Sequence, residues 1–157
     1  MSRGLLIAFE GIDRSGKSTQ ANTLLSNNPN STLFHAFPSK NTCIGTYIRD
    51  IITKKITSPS PYTLTLLNSA DRHSYTGQFT HTLTTLKQDI ILDRYSYSGI
   101  VYTMSVYPDI PYTQIITPEI GLIRPDITFY MDLHPINAKV REDYGNDLYE
   151  TQQLQDK

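Results

Sequence analysis

The stretch Leu5-Leu6-Ile7-Ala8-Phe9-Glu10-Gly11-Ile12-Asp13-Arg14-Ser15-Gly16-Lys17-Ser18-Thr19 decides how the rest of the chain is read. An apolar run is followed by Gly-x-x-x-x-Gly-Lys-Ser and then by a helix-forming segment, the order required for a loop that wraps the phosphates of a nucleotide. Backbone N–H groups between Gly11 and Lys17 can turn inward to make a concave anion site. The glycines tolerate the dihedrals such a turn needs and present no Cβ to an approaching phosphate. The helix that begins here adds its unsatisfied N–H groups and the positive end of its dipole to the same field. In this arrangement Lys17 bridges the outer phosphates and Ser18 places its hydroxyl on Mg²⁺.

Composition narrows what surrounds the loop. The chain has 157 residues, which predicts one domain, residues 1–157, with a core of its own. Lys and Arg number 14 against 15 Asp and Glu, a net charge of −1, so no basic field points to nucleic acid or to a membrane surface. Small-molecule nucleotides are the expected partners. Cys43 is the only cysteine; it excludes an internal disulfide and suits a reducing compartment. Met1-Ser2-Arg3-Gly4 runs straight into the apolar segment with no secretory pattern, and no apolar run is long enough to cross a bilayer. The cytoplasm, or the nucleus, is the expected location.

Further along, residues 5–10 read as a buried central strand, and the helix from Lys17 stops at Asn27-Asn28-Pro29. Residues 31–37 read as a short second strand ended by Pro38. Ile44, Tyr47, Ile48, Ile51 and Ile52 repeat with the spacing of one helix face, with Thr42 placed to cap its start. Ser60-Pro61 suits the cap and first position of another helix, carrying Leu66, Leu67 and Ala70 and reaching the region of Gly77. Phe79, Leu83 and Leu86 suggest a further short helix. Asp89-Ile90-Ile91-Leu92-Asp93 reads as a buried strand ending in a carboxylate, followed by a helix with Tyr97, Ile100, Val101 and Met104 on one face. Residues 127–132 form another strand, and Pro135 opens a helix. The order βαβααβαβα predicts a parallel sheet covered on both faces, with ligands at the carboxyl ends of the strands.

Two sets of side chains at that edge carry chemistry. Asp93, at the end of its strand, either holds Mg²⁺ with Ser18 or caps the next helix, and one Asp can serve both ends. Arg14, Arg72 and Arg94 fall at strand or helix ends facing the same edge, and a planar fork is what a transferring phosphoryl group requires.

Phe9 to Gln20 resembles the phosphate loop of thymidylate kinases. Phe37-Pro38, Ser69-Ala70-Asp71-Arg72, Asp93-Arg94-Tyr95-Ser96-Tyr97-Ser98-Gly99, Gly121-Leu122-Ile123-Arg124-Pro125-Asp126 and Tyr144-Gly145-Asn146-Asp147-Leu148-Tyr149-Glu150 continue the resemblance over nearly the whole chain. It implies a three-layer α/β/α P-loop fold, like that of nucleoside monophosphate kinases, and transfer of the ATP γ-phosphoryl group to thymidine 5′-monophosphate. By resemblance, Gly11, Ile12, Asp13, Arg14, Ser15, Gly16, Lys17, Ser18 and Thr19 hold ATP, with Arg141 from a lid over residues 141–150. Arg14, Lys17, Asp93 and Arg94 would act in catalysis, and Ser18 and Asp93 on Mg²⁺. On the acceptor side, Asp13 would meet the deoxyribose 3′-hydroxyl, Arg94 the phosphate and Arg72 the thymine edge. Tyr102 would pack beside the nucleoside, with Phe37, Lys40, Asn68, Ser98, Gly99 and Tyr149 completing that site. Arg14 in the loop resembles the eukaryotic and poxviral kind, and relatives pair as homodimers through helices beside the sheet, here those of Ile44 and Leu66.

The chain departs from the pattern at four places. Lys40 stands where the family has an arginine for the acceptor phosphate, and Asn68 where it stacks an aromatic ring on thymine. The lid's Glu-Arg-Tyr-Glu reads Asp147-Leu148-Tyr149-Glu150. The family continues past this point with another strand and a closing helix, the loop between them helping to hold adenine, whereas this sequence ends at Leu154-Gln155-Asp156-Lys157, either as a fragment or truncated form or as a chain that has lost part of its ATP side. Two alternatives to the thymidylate reaction therefore stand: a nucleotide-binding homologue impaired in turnover, or a kinase of the same fold with another acceptor base.

Overall fold

The computed structural model describes residues 3–57 and 59–140. The apolar run forms β1 (Leu6–Glu10), buried at every position, as a central parallel strand must be when both its faces are covered. Its alternate side chains enter two different cores. Leu6 and Ala8 join Ile90, Leu92, Phe37, Phe79, Leu83 and Tyr95 on one side, and Ile7 and Phe9 join Ala21 and Ile91 on the other.

Among the described residues four parallel strands make the sheet: β1, β2 (Thr32–Ala36), β3 (Asp89–Asp93) and β4 (Ile127–Tyr130), in the spatial order β2-β3-β1-β4. Phe9 is level with Asp93, and Ala36 is level with Asp93 from the other side. This register puts three strand ends, and the loops that leave them, at one edge. Successive strands leave in opposite directions from the β1/β3 pair, the topology that opens a crevice for ligands.

The helix α1 (Lys17–Asn27) has the predicted bounds. α2 (Cys43–Ile52) is capped by Thr42, whose Oγ1 accepts from the Gly45 N–H at 2.9 Å. Its inner face, Ile48 and Ile51, packs on Leu64 of α3 (Pro61–His73), which is capped by Ser60 as expected. α3 does not reach Gly77. It stops at His73, and Tyr75 turns in to pack 4.0 Å from His35 and 5.6 Å from Phe79 between ring centroids, so the chain bends and restarts as α4 (Thr76–Thr84).

Two further features concern the second half. α5 (Ser96–Val106) has no buried residue: Tyr97, Val101 and Met104, which share the apolar face read from the sequence, are 50%, 58% and 43% exposed. The inward side instead carries Ser98, Gly99, Tyr102 and Thr103, which line a pocket. The periodicity located a face, and the fold turned the polar one inward. Between α5 and β4 lie α6 (Tyr112–Ile116) and a 3₁₀ turn (Thr117–Glu119), both too short to leave a periodic signal. Among the described residues, no helix is long and apolar enough to cross a membrane.

α2 approaches the loop after β2 so closely that a Cβ on Gly45 would lie 2.2 Å from the Ser39 carbonyl oxygen. Alanine normally favours a helix interior by about 1 kcal/mol over glycine. Here the collision is with backbone, so Gly45→Ala should instead destabilise the protein by about 1–3 kcal/mol. Denaturant unfolding of the two proteins measures this, and a gain in stability would contradict the close docking.

Candidate active site

The site begins with Glu10, a buried carboxylate ending an otherwise apolar strand. Oε1 accepts from the N–H groups of Tyr95 at 2.9 Å and Ser98 at 3.3 Å, and Oε2 accepts from the Ser98 hydroxyl. A carboxylate thus satisfies the first turn of α5, where free N–H groups and the helix dipole favour negative charge. Asp93 is not that cap. Its Oδ2 accepts from Ser18 Oγ, so the two groups predicted to share a metal touch each other across the sheet edge.

The loop from Gly11 to Gly16 takes the conformation the glycines were needed for. Gly11 has φ 142° and Gly16 φ 97°, and a Cβ on Gly11 would stand 2.8 Å from the Met131 carbonyl oxygen. Arg14 also has positive φ, 62°, which is uncommon for a residue with a side chain. Gly16 caps α1 without a side-chain hydrogen bond, and its first turn has no acid; these N–H groups stay available to an anion. Lys17 is buried, its Nζ donating to the Ile12 carbonyl at 2.5 Å with the Ser15 hydroxyl 3.4 Å away. Burial above all, and then Arg94, lower its pKa to about 8; Asp13, Asp93 and Glu10 pull the other way. Thr19 lies exposed on the first turn of α1.

Arg94, with φ 67°, leaves β3 directly over this loop. Its Nη1 donates to the Gly11 carbonyl and to Ser98 Oγ, both at 3.1 Å, and Nη2 pairs with Asp13 Oδ1. Tyr102 donates to the other Asp13 oxygen at 3.0 Å, its ring 5.4 Å from the guanidinium carbon. Burial alone would lower the Arg94 pKa, but Tyr102, Asp13, Asp93 and Glu10 outweigh it and raise it. Burial beside Asp13 likewise raises Tyr102, which stays a protonated donor.

From this cluster a pocket of about 240 Å³ opens between α2, α3 and α5. Asp13, Phe37, Asn68, Arg72, Arg94, Ser98, Gly99 and Tyr102, all singled out from the sequence, line it together. Arg72 is buried, its Nε and Nη2 held by Glu119 of the 3₁₀ turn. A Cβ on Gly99 would stand 2.7 Å from Arg72 Nη2 and 3.0 Å from Nη1, so only glycine lets this guanidinium lie against α5. Asn68 donates from Nδ2 to the Leu64 carbonyl at 2.9 Å. Lys40 is exposed and does not line the pocket, whereas Arg49, not singled out from the sequence, does. Arg141 and Tyr149 lie outside the described residues.

Glu10, Glu119 and Arg49 are the residues sequence reasoning missed. Glu10 had a signal, a charge ending a buried strand. Glu119 had a weaker one, as the sole acid between Asp109 and Asp126. Arg49 had none.

The donor set fits Mg²⁺ as phosphate-handling sites hold it. Ser18 and Asp93 supply two oxygens, and among the described residues no group of three or more His, Cys, Asp or Glu forms an all-protein cage. Mg²⁺ takes one or two protein oxygens and fills its octahedron with water and phosphate.

Residues 9–157 match the family model of thymidylate kinase. The chain is 38% identical to a thymidylate kinase of Plasmodium falciparum, over 99% of its own length and 74% of that protein's. It is 38% identical to one of Arabidopsis thaliana over 99% of its own length, spanning 59% of the relative. Among solved structures, the thymidylate kinase of Candida albicans, reported for its broad substrate specificity, superposes with a TM-score of 0.90 at 35% identity, covering 99% of this chain and 75% of that one.

The depressed pKa of Lys17 has a signed consequence. Between about 8 and the ordinary 10.5, the unfolded chain binds a proton at this side chain that the folded chain does not, so this side chain's contribution to stability rises with pH through that window. The stability difference between wild type and Lys17→Met should therefore move in favour of wild type from pH 7 to pH 10, other groups cancelling. Unfolding of both proteins at the two pH values tests this, and a constant or reversed difference sinks it.

Proposed function

The chain belongs to the thymidylate kinase family, and from that premise we propose that the β1/β3 edge transfers the γ-phosphoryl group of ATP to thymidine 5′-monophosphate, giving the diphosphate. One observation carries this reading beyond the family match. The anion loop, the Asp13–Arg94–Tyr102 cluster and the arginine-lined pocket form one continuous surface, donor side to acceptor side.

The loop amides and Lys17 hold the β- and γ-phosphates, and bound phosphate raises the pKa of the Lys17 ammonium again by supplying the opposite charge. Mg²⁺ supplies neutralisation of phosphate charge, and Ser18 Oγ and the Asp93 carboxylate are the protein oxygens that would hold it. Arg94 is oriented by its bonds to Gly11, Ser98 and Asp13, and its guanidinium offers the fork that an acceptor phosphate takes. Asp13 accepts one bond on each oxygen and has lone pairs left for a 3′-hydroxyl. With Glu119 occupying one edge of Arg72, its Nη1 edge is the part that reads a base carbonyl. Arg14 serves charge that develops as the phosphoryl group moves. By resemblance, Arg141 and Tyr149 belong to a lid that excludes competing water.

The partner we propose is a second copy of the chain. Tyr97, Val101 and Met104 on α5 form an exposed apolar face, with Tyr62 and Leu66 exposed on the neighbouring α3, and dimer faces are richer in apolar surface than other protein surface. A lone cysteine fits a reducing compartment, the cytoplasm or nucleus.

Asn68 favours a second reading of the acceptor. An amide already bound to its own helix offers no ring to stack on a base, so the pocket should discriminate bases less than one with an aromatic residue there. Stacking contributes about 1–3 kcal/mol per base. Asn68→Phe should lower the KM for thymidylate about tenfold and widen its preference over other deoxynucleoside monophosphates; an unchanged profile would contradict the assignment of position 68 to the base.

The central test incubates the chain with MgATP and each deoxynucleoside monophosphate and quantifies diphosphate. No product with any acceptor rejects the enzyme reading. Arg14→Ala should lower kcat about 10²- to 10³-fold with KM for the acceptor within about threefold, and a loss confined to KM would remove Arg14 from the transition state.

A further inference from the structure

Three arginines line the pocket, and two are already neutralised. Arg72 pairs with Glu119 and Arg94 with Asp13. Arg49, on α2, has no carboxylate within ion-pair distance among the described residues; its Nη2 donates to the Pro38 carbonyl at 2.9 Å. That single bond anchors the guanidinium and leaves four N–H donors. Ile52, three residues further along α2, and Thr53, which caps the helix, line the same pocket, so the helical spacing puts Arg49 on the pocket side.

Lys40 is differently placed. The residue before it, Ser39, is fully buried and pinned, its N–H on Asp71 Oδ2 at 2.8 Å and its hydroxyl 2.7 Å from Tyr75 Oη. The backbone that carries Lys40 is therefore fixed with the lysine exposed. A part-buried guanidinium without a counterion is unfavourable alone, and it becomes favourable when an anion of complementary geometry arrives.

Resting on the reading of this pocket as the acceptor site, we propose that Arg49, rather than Lys40, provides the unpaired guanidinium that binds the acceptor's phosphate monoester, beside Arg94. The chain thereby restores with a fork on α2 what the lysine, a point charge, does not supply from the preceding loop.

The test is equilibrium titration of the full chain with thymidine 5′-monophosphate and with thymidine, which differ only in the phosphate. Wild type should bind the monophosphate more tightly. Arg49→Ala should reduce the monophosphate-to-nucleoside affinity ratio about tenfold or more while leaving thymidine within about twofold, and Lys40→Ala should leave the ratio within about twofold. Arg49→Lys, which keeps the charge and loses the fork, should give an intermediate ratio; it also decides the matter if the alanine variant fails to fold. A ratio unchanged in the Arg49 variants, an equal loss of both ligands, or a collapse in Lys40→Ala overturns the assignment of Arg49 alone. A wild type that does not distinguish the two ligands overturns the acceptor reading and this proposal with it.

Discussion

Glu10 is a carboxylate removed from water at the end of a strand whose other side chains are apolar. Burying such a charge is costly unless it is hydrogen-bonded on every side. The fold supplies Tyr95 N–H, Ser98 N–H and the Ser98 hydroxyl, all from the start of α5. The helix is thereby held to β1 at a defined height, and Arg94, one residue before Tyr95, is set over the loop that follows β1. The donor-side loop and the acceptor-side helix share one frame because a single acid belongs to both.

The electrostatics of the edge follow from that frame. Arg94, part-buried, keeps its charge because Tyr102 and the carboxylates of Asp13, Asp93 and Glu10 outweigh the cost of its burial. Lys17, deeper in the loop and facing Arg94, has its charge disfavoured by burial and by that neighbour. A site with cations held close together and their counter-charges fixed to one side is preorganised for a polyanion, which relieves the repulsion among them. Arg72 is held differently, locked by Glu119 and lying against Gly99, and such a rigid donor suits recognition of a flat base.

Much of this was legible along the chain. The loop, the carboxyl ends of β1 and β3 and the α1 and α2 boundaries follow from glycine spacing, apolar runs and caps, all of which act within a few residues. The apolar period of α5 located a face, but which side of the helix turns inward was set by the pocket, which its polar side lines. Tyr75 broke a helix that local propensity would have continued, since its ring had an aromatic core to enter.

The sequence by itself determined that a phosphate-binding loop opens a parallel α/β fold and which side-chain types stand at its carboxyl edge, because those signals are local. Only the tertiary structure decided which donor meets which carboxylate. Glu10 with Tyr95, Arg94 with Asp13 and Arg72 with Glu119 are separated by 85, 81 and 47 residues. Periodicity cannot report contacts at that distance. They arise from the register of β1 against β3 and the docking of α2 and α3 beside them, which bring distant charges into a space too dry to leave them unmatched.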